Sequence, residues 1–441
     1  MTPKKHPRDW SPIRKVITTI IICGIGFTVT VGASIYSPGH EQVQQEFNVP
    51  TTISLLPLSA YSLGLAFGPM ISSPLSEAFG RRFVYLITLP LFDIFMVGVG
   101  LSRNIASLII CRFFAGLFAA PGVSVAAATI ADYTTPSERA IPLCTYYSIP
   151  FTGSAIGPLI GGFAVDAKEW RWTAWVVLIM GAALHTPVLF LRESQTSLSK
   201  GNSDGGVWET GKHFITTTVI RPLHMLTTEP LVTSICLYTG FQFALLYTFV
   251  VASPWVFRTV YAFSSQAQSL SFLGMVTGCL TAPPVLISID RLIKRLRPPT
   301  SQTPSTPEDR LHAALYGSLV LPAGLFWFAW TAQPSIHWMS PICAQGLTLL
   351  GSILIYVPCN FYTIDVYGSK FGASASGASS LTRYTLSAAF PLFVTQMYEA
   401  LGVHWATSLL GFVALAMAPI PWLLYRAGPG FRARSGYEHG T

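Results

Sequence analysis

Two arginines of this 441-residue chain, Arg112 and Arg383, lie inside long apolar runs. A charged side chain at the centre of a membrane helix costs ~2.5–3.5 kcal/mol, so each arginine should face protein or water and have a polar partner. Asp93, midway along the preceding run, is the nearest candidate partner of Arg112 in sequence. A buried carboxylate beside an arginine can alternate between protonated and ionised states, which is the minimum chemistry for carrying a proton.

Other interpretations of these charges stay open at this point. Arg112 is alternatively a structural residue whose side chain extends to the membrane surface. Arg383 is a charge on a transport pathway or a structural partner of Asp365 or Glu399.

A cluster of charge lies between two apolar runs, in the stretch PLSEAFGRR at 74–82. It contains Glu77, Gly80, Arg81 and Arg82. A carboxylate is stabilised near a helix N-terminus, and arginine can bridge to carboxylates or terminal carbonyls of neighbouring helices. If such contacts form in only one orientation of two helical bundles, the cluster acts as a conformational latch. The alternative is ordinary anchoring of helix ends at a basic membrane surface.

The elements that must position these residues are membrane helices. Charged residues make up 10% of the chain and hydrophobic residues 51%, whereas soluble domains are about 25% charged. About 20 apolar residues span a ~30 Å hydrocarbon core as a helix, because every backbone N–H must be satisfied within the segment. Runs of this kind predict twelve spans, at 16–35, 51–72, 83–101, 107–131, 142–164, 172–191, 231–251, 269–289, 312–331, 341–364, 374–398 and 406–425.

The net charge of +8 is a topology signal and does not indicate a nucleic-acid partner. An even number of spans places both termini on one side, most lysines and arginines share that side, and basic loops mark the cytosol. The predicted organisation is a cytosolic tail at 1–15, a six-helix half at 16–191, a cytosolic central loop at 192–230, a second six-helix half at 231–425 and a cytosolic tail at 426–441.

Two patterns recur in the two halves. Glu77–Arg82 and Asp290–Arg295 each follow the second span of a half, and both read as an acid, three residues and two cations. Asp132 and Asp365 each end a fourth span in the patterns TIAD and TID. Two matches in the same order suggest duplicated halves, from which many secondary transporters build a midplane site that opens alternately to each side. Asp290 and Arg295 therefore join the predicted latch.

Four stretches carry a family resemblance: PLSEAFGRR (74–82), RFFAGLFAA (112–120), GSAIGPLIGG (153–162) and the region at 373–412 that begins ASASGASSLTRYTL. In these stretches the chain resembles the major facilitator superfamily, and within it the fungal twelve-span drug:proton antiporters. The resemblance implies an all-α membrane protein with twelve transmembrane helices in two pseudo-symmetric six-helix halves. It supports Arg112 as a coupling or pathway charge and does not single out Asp93.

The resemblance also implies roles for two sets of residues. One is an antiporter-like motif in helix 5, where small residues at spacing four allow close helix approach and a proline favours a kink. The other is a cavity lining in helices 7 and 10, although each of its members is alternatively a satisfied helix contact. The first set is Gly153, Gly157, Pro158, Gly161 and Gly162, and the second is Gln242, Tyr247, Tyr356 and Asn360.

The expected function is proton-coupled export of a small amphipathic organic compound such as a drug, toxin or fungal secondary metabolite. No GxxxxGK[ST] loop, metal spacing or nucleophile–base set is present, so we expect the proton gradient to supply the energy, with no cofactor, no metal and no enzyme activity. The expected partners are the small-molecule substrate, protons and the lipid bilayer, for a monomer in the plasma membrane, with the vacuolar membrane as an alternative. The rival functions are transport of polyamines or another metabolite, including uptake, and a non-transporting membrane sensor.

Overall fold

The computed structural model describes residues 6–135, 138–195, 216–296, 306–433, 435 and 437. All regular secondary structure in these residues is helical, and the chain divides into two compact units, Met1–Arg221 and Pro222–Thr441. The predicted all-α class is confirmed. Much of the predicted central loop, residues 196–215, and the extreme ends of both predicted tails lie outside the described residues.

The described residues of the first unit form eight α-helices that lie wholly inside it. Ser11 caps the first of them by accepting a hydrogen bond from the Arg14 N–H (3.4 Å), and Asn104 caps the fifth by accepting from the Ser107 N–H (2.8 Å). Such side-chain acceptors satisfy N–H groups that have no partner inside the helix. The helices are α1 (Pro12–Ser34), α2 (His40–Phe47), α3 (Thr51–Phe79), α4 (Arg81–Gly100), α5 (Ile105–Ala119), α6 (Pro121–Tyr133), α7 (Ala140–Ala167) and α8 (Trp172–His185).

The second unit repeats this organisation after a short helix at the boundary between the units. Its helices are α9 (Arg221–Thr228), α10 (Pro230–Tyr261), α11 (Ser265–Ser271), α12 (Leu273–Leu296), α13 (His312–Thr331), α14 (Met339–Ala389), α15 (Pro391–Met417) and α16 (Pro419–Arg432). A one-turn helix, Pro307–Leu311, precedes α13.

Eleven helices within the described residues are long and apolar enough to cross a membrane. Gly368 (φ 58°) and Gly402 (φ 71°) break α14 and α15, because a positive φ interrupts a right-handed helix. Residues 369–401 between the two breaks are helical except at Phe390 and contain the predicted eleventh span, 374–398. This stretch is rich in serine and threonine and contains Arg383, which lowers its hydropathy.

The helices pair in the same order inside each unit. In the first unit α3 packs on α5, α1 on α7, and α4 on α8. In the second unit α12 packs on the first part of α14, α10 on its second part, and α13 on α15. In both units the second span therefore meets the fourth, the first meets the fifth, and the third meets the sixth. This is the pseudo-symmetry expected of duplicated halves.

Candidate functional site

A glycine turn joins α3 to α4 inside the sequence PLSEAFGRR. Gly80 ends α3 with φ 99°, a conformation that favours glycine, and a Cβ at this position would lie 2.5 Å from Glu193 Oε2. Glu193 approaches closely because its carboxylate accepts hydrogen bonds from the N–H groups of Arg81 (2.9 Å) and Arg82 (3.1 Å) in the first turn of α4. The carboxylate at this helix N-terminus is therefore Glu193 and not Glu77.

Glu77 itself lies in the last turn of α3 with its side chain exposed. Its backbone carbonyl accepts a hydrogen bond from Gln195 Nε2 (2.8 Å). Within the described residues its carboxylate makes no ion pair. The latch role proposed for Glu77 stays a prediction.

The side chains of Arg81 and Arg82 form hydrogen bonds that connect four segments of the first unit. Arg81 Nε lies 3.4 Å from Asp132 Oδ2 at the end of α6, and its guanidinium also donates to Ser76 Oγ of α3 (2.5 Å). Arg82 donates to the carbonyl oxygen of Leu189, after α8 (2.8 Å). We call Arg81, Arg82, Asp132 and Glu193 the Arg81 cluster; it fixes the start of α4 against the ends of α3, α6 and α8.

The second unit has a related arrangement with different members. Asp365, the counterpart of Asp132, pairs with Arg310 just before α13 (2.9 Å). The cation that meets this acid therefore comes from the start of the third span. The latch role predicted for Asp290 and Arg295 stays a prediction. Asp290 and Arg295 lie on the exposed surface of the last turns of α12.

Arg112 is buried in the first unit, with 1% of its surface exposed. One guanidinium nitrogen donates to the backbone carbonyl of Gly32 in α1 (2.7 Å). Its Cζ atom lies 5.0 Å and 5.1 Å from the ring centres of Tyr36 and Tyr61, at cation–π distance. The alternative of a side chain extending to the membrane surface is therefore wrong.

The predicted pairing of Asp93 with Arg112 is also wrong. Both Asp93 carboxylate oxygens lie 3.5 Å from Nδ1 of His185, at the end of α8. Asp93 lies against α8, where a Cβ built at Gly181 would be 2.9 Å from its Oδ1 atom. The structure thus pairs the acid with His185, which is only 7% exposed.

Arg383 occupies a box of aromatic rings and hydroxyls in the second unit and is 5% exposed. It donates to the hydroxyls of Tyr356 (2.9 Å) and Ser380 (3.1 Å). Its Cζ atom lies 4.8 Å from the ring centre of Phe243, 5.3 Å from that of Tyr356 and 4.8 Å from that of Tyr384. We call these five residues the Arg383 box.

The acids predicted as partners of Arg383 lie elsewhere. Asp365 is paired with Arg310. Glu399 is exposed, and its position sixteen residues further along the helical stretch places it ~24 Å away along the axis. Both predicted pairings are therefore wrong.

The structure brings part of the predicted cavity lining of helices 7 and 10 to this box. Tyr356 belongs to it directly, and Asn360 donates to the Tyr356 carbonyl one turn earlier (2.8 Å). Gln242 and Tyr247 are buried in α10. Gln242 donates to the Tyr238 carbonyl (3.2 Å), which leaves its oxygen for another partner.

The glycines of the helix-5 pattern place α7 directly against α1. A Cβ built at Gly153, Gly157 or Gly161 would overlap atoms of Thr30, Ser34 and Ile35, respectively. Gly162 is buried in the same helix, which continues through Pro158. The small residues therefore permit close backbone approach, as their spacing predicts, while their role in transport stays a prediction.

The family model of the major facilitator superfamily matches residues 22–392. The chain belongs to this superfamily. It is 33% identical to Polyamine transporter 4 of Saccharomyces cerevisiae over 98% of its own length and 72% of that protein. It is 34% identical to Efflux pump FUBT of Fusarium oxysporum over 97% of its length and 74% of that protein.

A solved structure supports the same fold. The proton:xylose symporter XylE aligns with a TM-score of 0.71 at 14% identity, covering 94% of this chain and 97% of that chain. At this identity the likeness concerns the fold alone.

Sequence reasoning missed Glu193, His185, Phe243 and Tyr384. Glu193 follows a predicted span by two residues, so its position beside the other helix ends was open to inference. Phe243 and Tyr384 gave no signal, because single aromatic residues are common in membrane helices. Their importance follows from the arginine that they surround.

Proposed function

We propose that this protein exports a small amphipathic organic compound, such as a drug, toxin or secondary metabolite, in exchange for protons. The observation that carries the proposal is the similarity to a fungal efflux pump over 97% of the chain. The repeated pairing of helices in the two units supports alternating access, in which the units rock and expose a site to each side in turn.

Several residues have proposed parts in this cycle. Asp93 and His185 supply an acid and a base within 3.5 Å of each other inside membrane helices, a pair suited to taking up and releasing a proton. Arg112 keeps its charge between two tyrosine rings and fixes α5 against α1. The Arg81 cluster holds the start of α4 rigid so that the first unit can move as one body.

We place the protein in the plasma membrane as a monomer with both termini in the cytosol. The concentration of lysine and arginine in the loops on the side of the termini supports this orientation. Single cysteines introduced near each terminus of a cysteine-free variant test it. They should react with a membrane-impermeant maleimide only after the cells are permeabilised.

A polyamine carrier is the second candidate, and the identity of 33% with a yeast polyamine transporter favours it. A polycation is best held by carboxylates placed in the pathway. Two of the described acids in these helices, Asp93 and Asp132, face His185 and Arg81, respectively. Both acids therefore already face basic side chains.

The test combines identification of the cargo with measurement of flux. Metabolites of cells with and without the gene are compared, and the compound retained in the deletion strain is loaded into proteoliposomes under an imposed pH gradient. We expect flux of that compound to require the gradient, with protein-free liposomes as the control. Flux that ignores the gradient would refute proton coupling. Retention of no compound, together with spermidine flux, would favour the polyamine carrier.

A further inference from the structure

Glu229 is a buried acid at the junction of α9 and α10, with 7% of its surface exposed. Its backbone N–H donates to the Met225 carbonyl (3.1 Å), and its own carbonyl accepts from the Thr233 N–H (2.9 Å), so the residue is fixed between the two helices. An acid at the start of a helix often caps it. The side chain of Glu229 makes no such bond to α10. The N–H groups of that helix therefore do not hold its carboxylate.

The neighbour of this carboxylate is a neutral hydroxyl. The hydroxyl of Tyr367 on α14 lies within interaction range of Glu229. Tyr367 is completely buried, and within the described residues its hydroxyl oxygen makes no hydrogen bond of normal geometry. Across the same part of the chain, Glu229 forms no ion pair. The acid and the phenol therefore lie together without a described cation.

A second acid of the same unit shows what a buried carboxylate requires to stay ionised. Glu308 is 4% exposed, which is similar to Glu229, and Arg432 lies 3.2 Å from its carboxylate. A buried charge is stable when a charge of opposite sign pairs with it, and a buried acid without a cation becomes neutral instead. Similar burial with and without a cation therefore predicts different protonation: Glu308 stays ionised, whereas Glu229 holds a proton.

The other titratable groups of the surrounding elements do not supply the missing cation. On α9, the exposed His224 has its Nδ1 atom 2.8 Å from a tyrosine hydroxyl of the C-terminal segment. On α10, the buried Cys236 is close enough to Tyr367 to interact with it electrostatically, and its thiol carries no positive charge. Ser435, after α16, places a neutral hydroxyl beside Tyr367. Within the described residues, none of these groups forms an ion pair with Glu229.

We propose that Glu229 is a proton-binding residue of the second unit and that Tyr367 is its positioning residue. The inference rests on the proposed exchange of cargo for protons, and it adds a group that carries a proton in the second unit. While the carboxyl group is protonated, the side chain is neutral and suited to its buried position. When the acid O–H bond breaks, the proton passes to water and the Tyr367 hydroxyl donates to the carboxylate that remains.

The position of Glu229 fits the direction of the proposed proton flow. The membrane helix α10 begins one residue after it. The proposed orientation, with both termini in the cytosol, places this end of the helix at the cytosolic side. A proton that moves inward while cargo moves outward leaves the protein at this side. Glu229 is therefore placed to release the proton to the cytosol.

Infrared spectroscopy of the full-length protein in lipid bilayers measures protonation directly, because a protonated carboxyl group has a C=O band that a carboxylate lacks. We expect a band of this kind at neutral pH in the unmodified protein and its loss in Glu229→Gln. The matched control is Glu308→Gln, which removes an acid of similar burial that Arg432 keeps ionised, so the band should stay. If that variant does not fold, Glu399→Gln at an exposed position replaces it. The same band in Glu229→Gln would overturn the proposal.

The part of Tyr367 has its own test. Tyr367→Phe removes the hydroxyl that donates to the ionised carboxylate and keeps the ring, so the ionised form loses a stabilising bond. The carboxyl band should then persist to a more alkaline pH than in the unmodified protein. A band that disappears at the same pH in both proteins would overturn the role of Tyr367.

Flux measurements separate proton coupling from a structural role of Glu229. In proteoliposomes, Glu229→Gln should lose the gradient-driven accumulation of the exported compound. It should retain the exchange of labelled for unlabelled compound across the membrane, because that exchange moves no net protons. Loss of both activities, as a structural defect produces, would overturn the coupling role, and so would intact gradient-driven accumulation.

The two kinds of measurement distinguish failure of the site from failure of the proposed function. A carboxyl band that belongs to Glu229, in a protein whose flux ignores the pH gradient, would overturn proton-coupled export and leave the proton site. Gradient-driven flux, together with a band that Glu229→Gln leaves unchanged, would overturn the proton site and leave export.

Discussion

Replacing Glu193 by alanine is expected to destabilise the first unit through the first turn of α4. The Glu193 carboxylate accepts four backbone hydrogen bonds, from the N–H groups of Arg81 (2.9 Å), Arg82 (3.1 Å), Ser194 (3.0 Å) and Gln195 (3.0 Å). The first two belong to N–H groups at the start of a helix, which have no acceptor inside it. Alanine leaves all four without this acceptor.

The size of the effect follows from two contributions. Loss of a side-chain acceptor at a helix N-terminus costs about 0.5–2 kcal/mol, and loss of the negative charge at the positive end of the helix dipole costs about 0.3–1 kcal/mol. Because Glu193 is half-buried, we expect the sum to be about 2 kcal/mol. A unit of this size loses about 2–4 °C of unfolding temperature for each kcal/mol, so the expected decrease is about 4–8 °C.

The assay is the apparent unfolding temperature of the purified protein in detergent, and Glu77→Ala is the matched control. Glu77 is the acid that the sequence pattern emphasises, but its side chain is exposed and makes no ion pair among the described residues. Exposed substitutions of this kind change stability by about 0.5 kcal/mol or less, which corresponds to at most ~2 °C. An unchanged unfolding temperature in Glu193→Ala, or an equal decrease in Glu77→Ala, would refute the reasoning.

Three further predictions concern other contacts. Arg112→Lys and Arg112→Ala should abolish flux without loss of membrane abundance. Neither replacement can both stack between two tyrosine rings and donate a hydrogen bond to the Gly32 carbonyl. Normal flux in both variants would contradict this prediction. Gly157→Ala should lower the free energy of unfolding by about 1–3 kcal/mol, because the added Cβ overlaps α1. The control is Gly372→Ala, whose Cβ would meet no atom within 4 Å and should leave stability unchanged. Equal unfolding temperatures of the two variants would contradict this prediction. The hydrogen bond from Lys15 holds the pKa of Glu138 below its ordinary value of 4.5, so the coupling between them should be present at pH 7 and lost as pH falls through that lowered pKa. A double-mutant cycle at pH 7 and pH 3 measures it, and equal coupling at both would contradict the assignment.

The membrane helices were predictable from the sequence because each must form all its backbone hydrogen bonds within its own apolar run. Helix ends were less predictable, since capping extends helices beyond the hydrocarbon core. For example, α3 continues to Phe79, seven residues past the predicted end, until Gly80 stops it. Hydropathy alone defines the eleventh span poorly, but glycines with positive φ at both ends define its limits.

The partners of the buried charges were not predictable, because proximity in sequence does not determine which way a helix face points. Asp93 was the nearest acid to Arg112 in the chain, yet a rotation of 100° per residue directs it to His185 on α8. Arg383 was expected beside an acid because the positive charge of a buried cation must be balanced by a polar or anionic partner. The structure shows aromatic faces and hydroxyls instead, which come from three separate helical stretches.

One feature of the repeat, a carboxylate at the start of the third span, is preserved in both units. In both units the third span begins beside a carboxylate, which the positive end of a helix dipole favours. The first unit supplies it from the segment after its sixth span, as Glu193 on the N–H groups of α4. The second unit supplies it locally, as Asp309, whose carboxylate accepts from the Thr306 N–H (2.9 Å) in the turn that precedes α13.

The segments that follow the sixth spans carry opposite charges at these helix starts. In the first unit Glu193 accepts from the N–H groups of α4 directly. In the second unit Glu308, next to the capping Asp309, is only 4% exposed and therefore requires a cation, and Arg432 supplies one at 3.2 Å from the end of α16. The segment after the sixth span therefore brings an acid to the start of the third span in one unit and a base in the other.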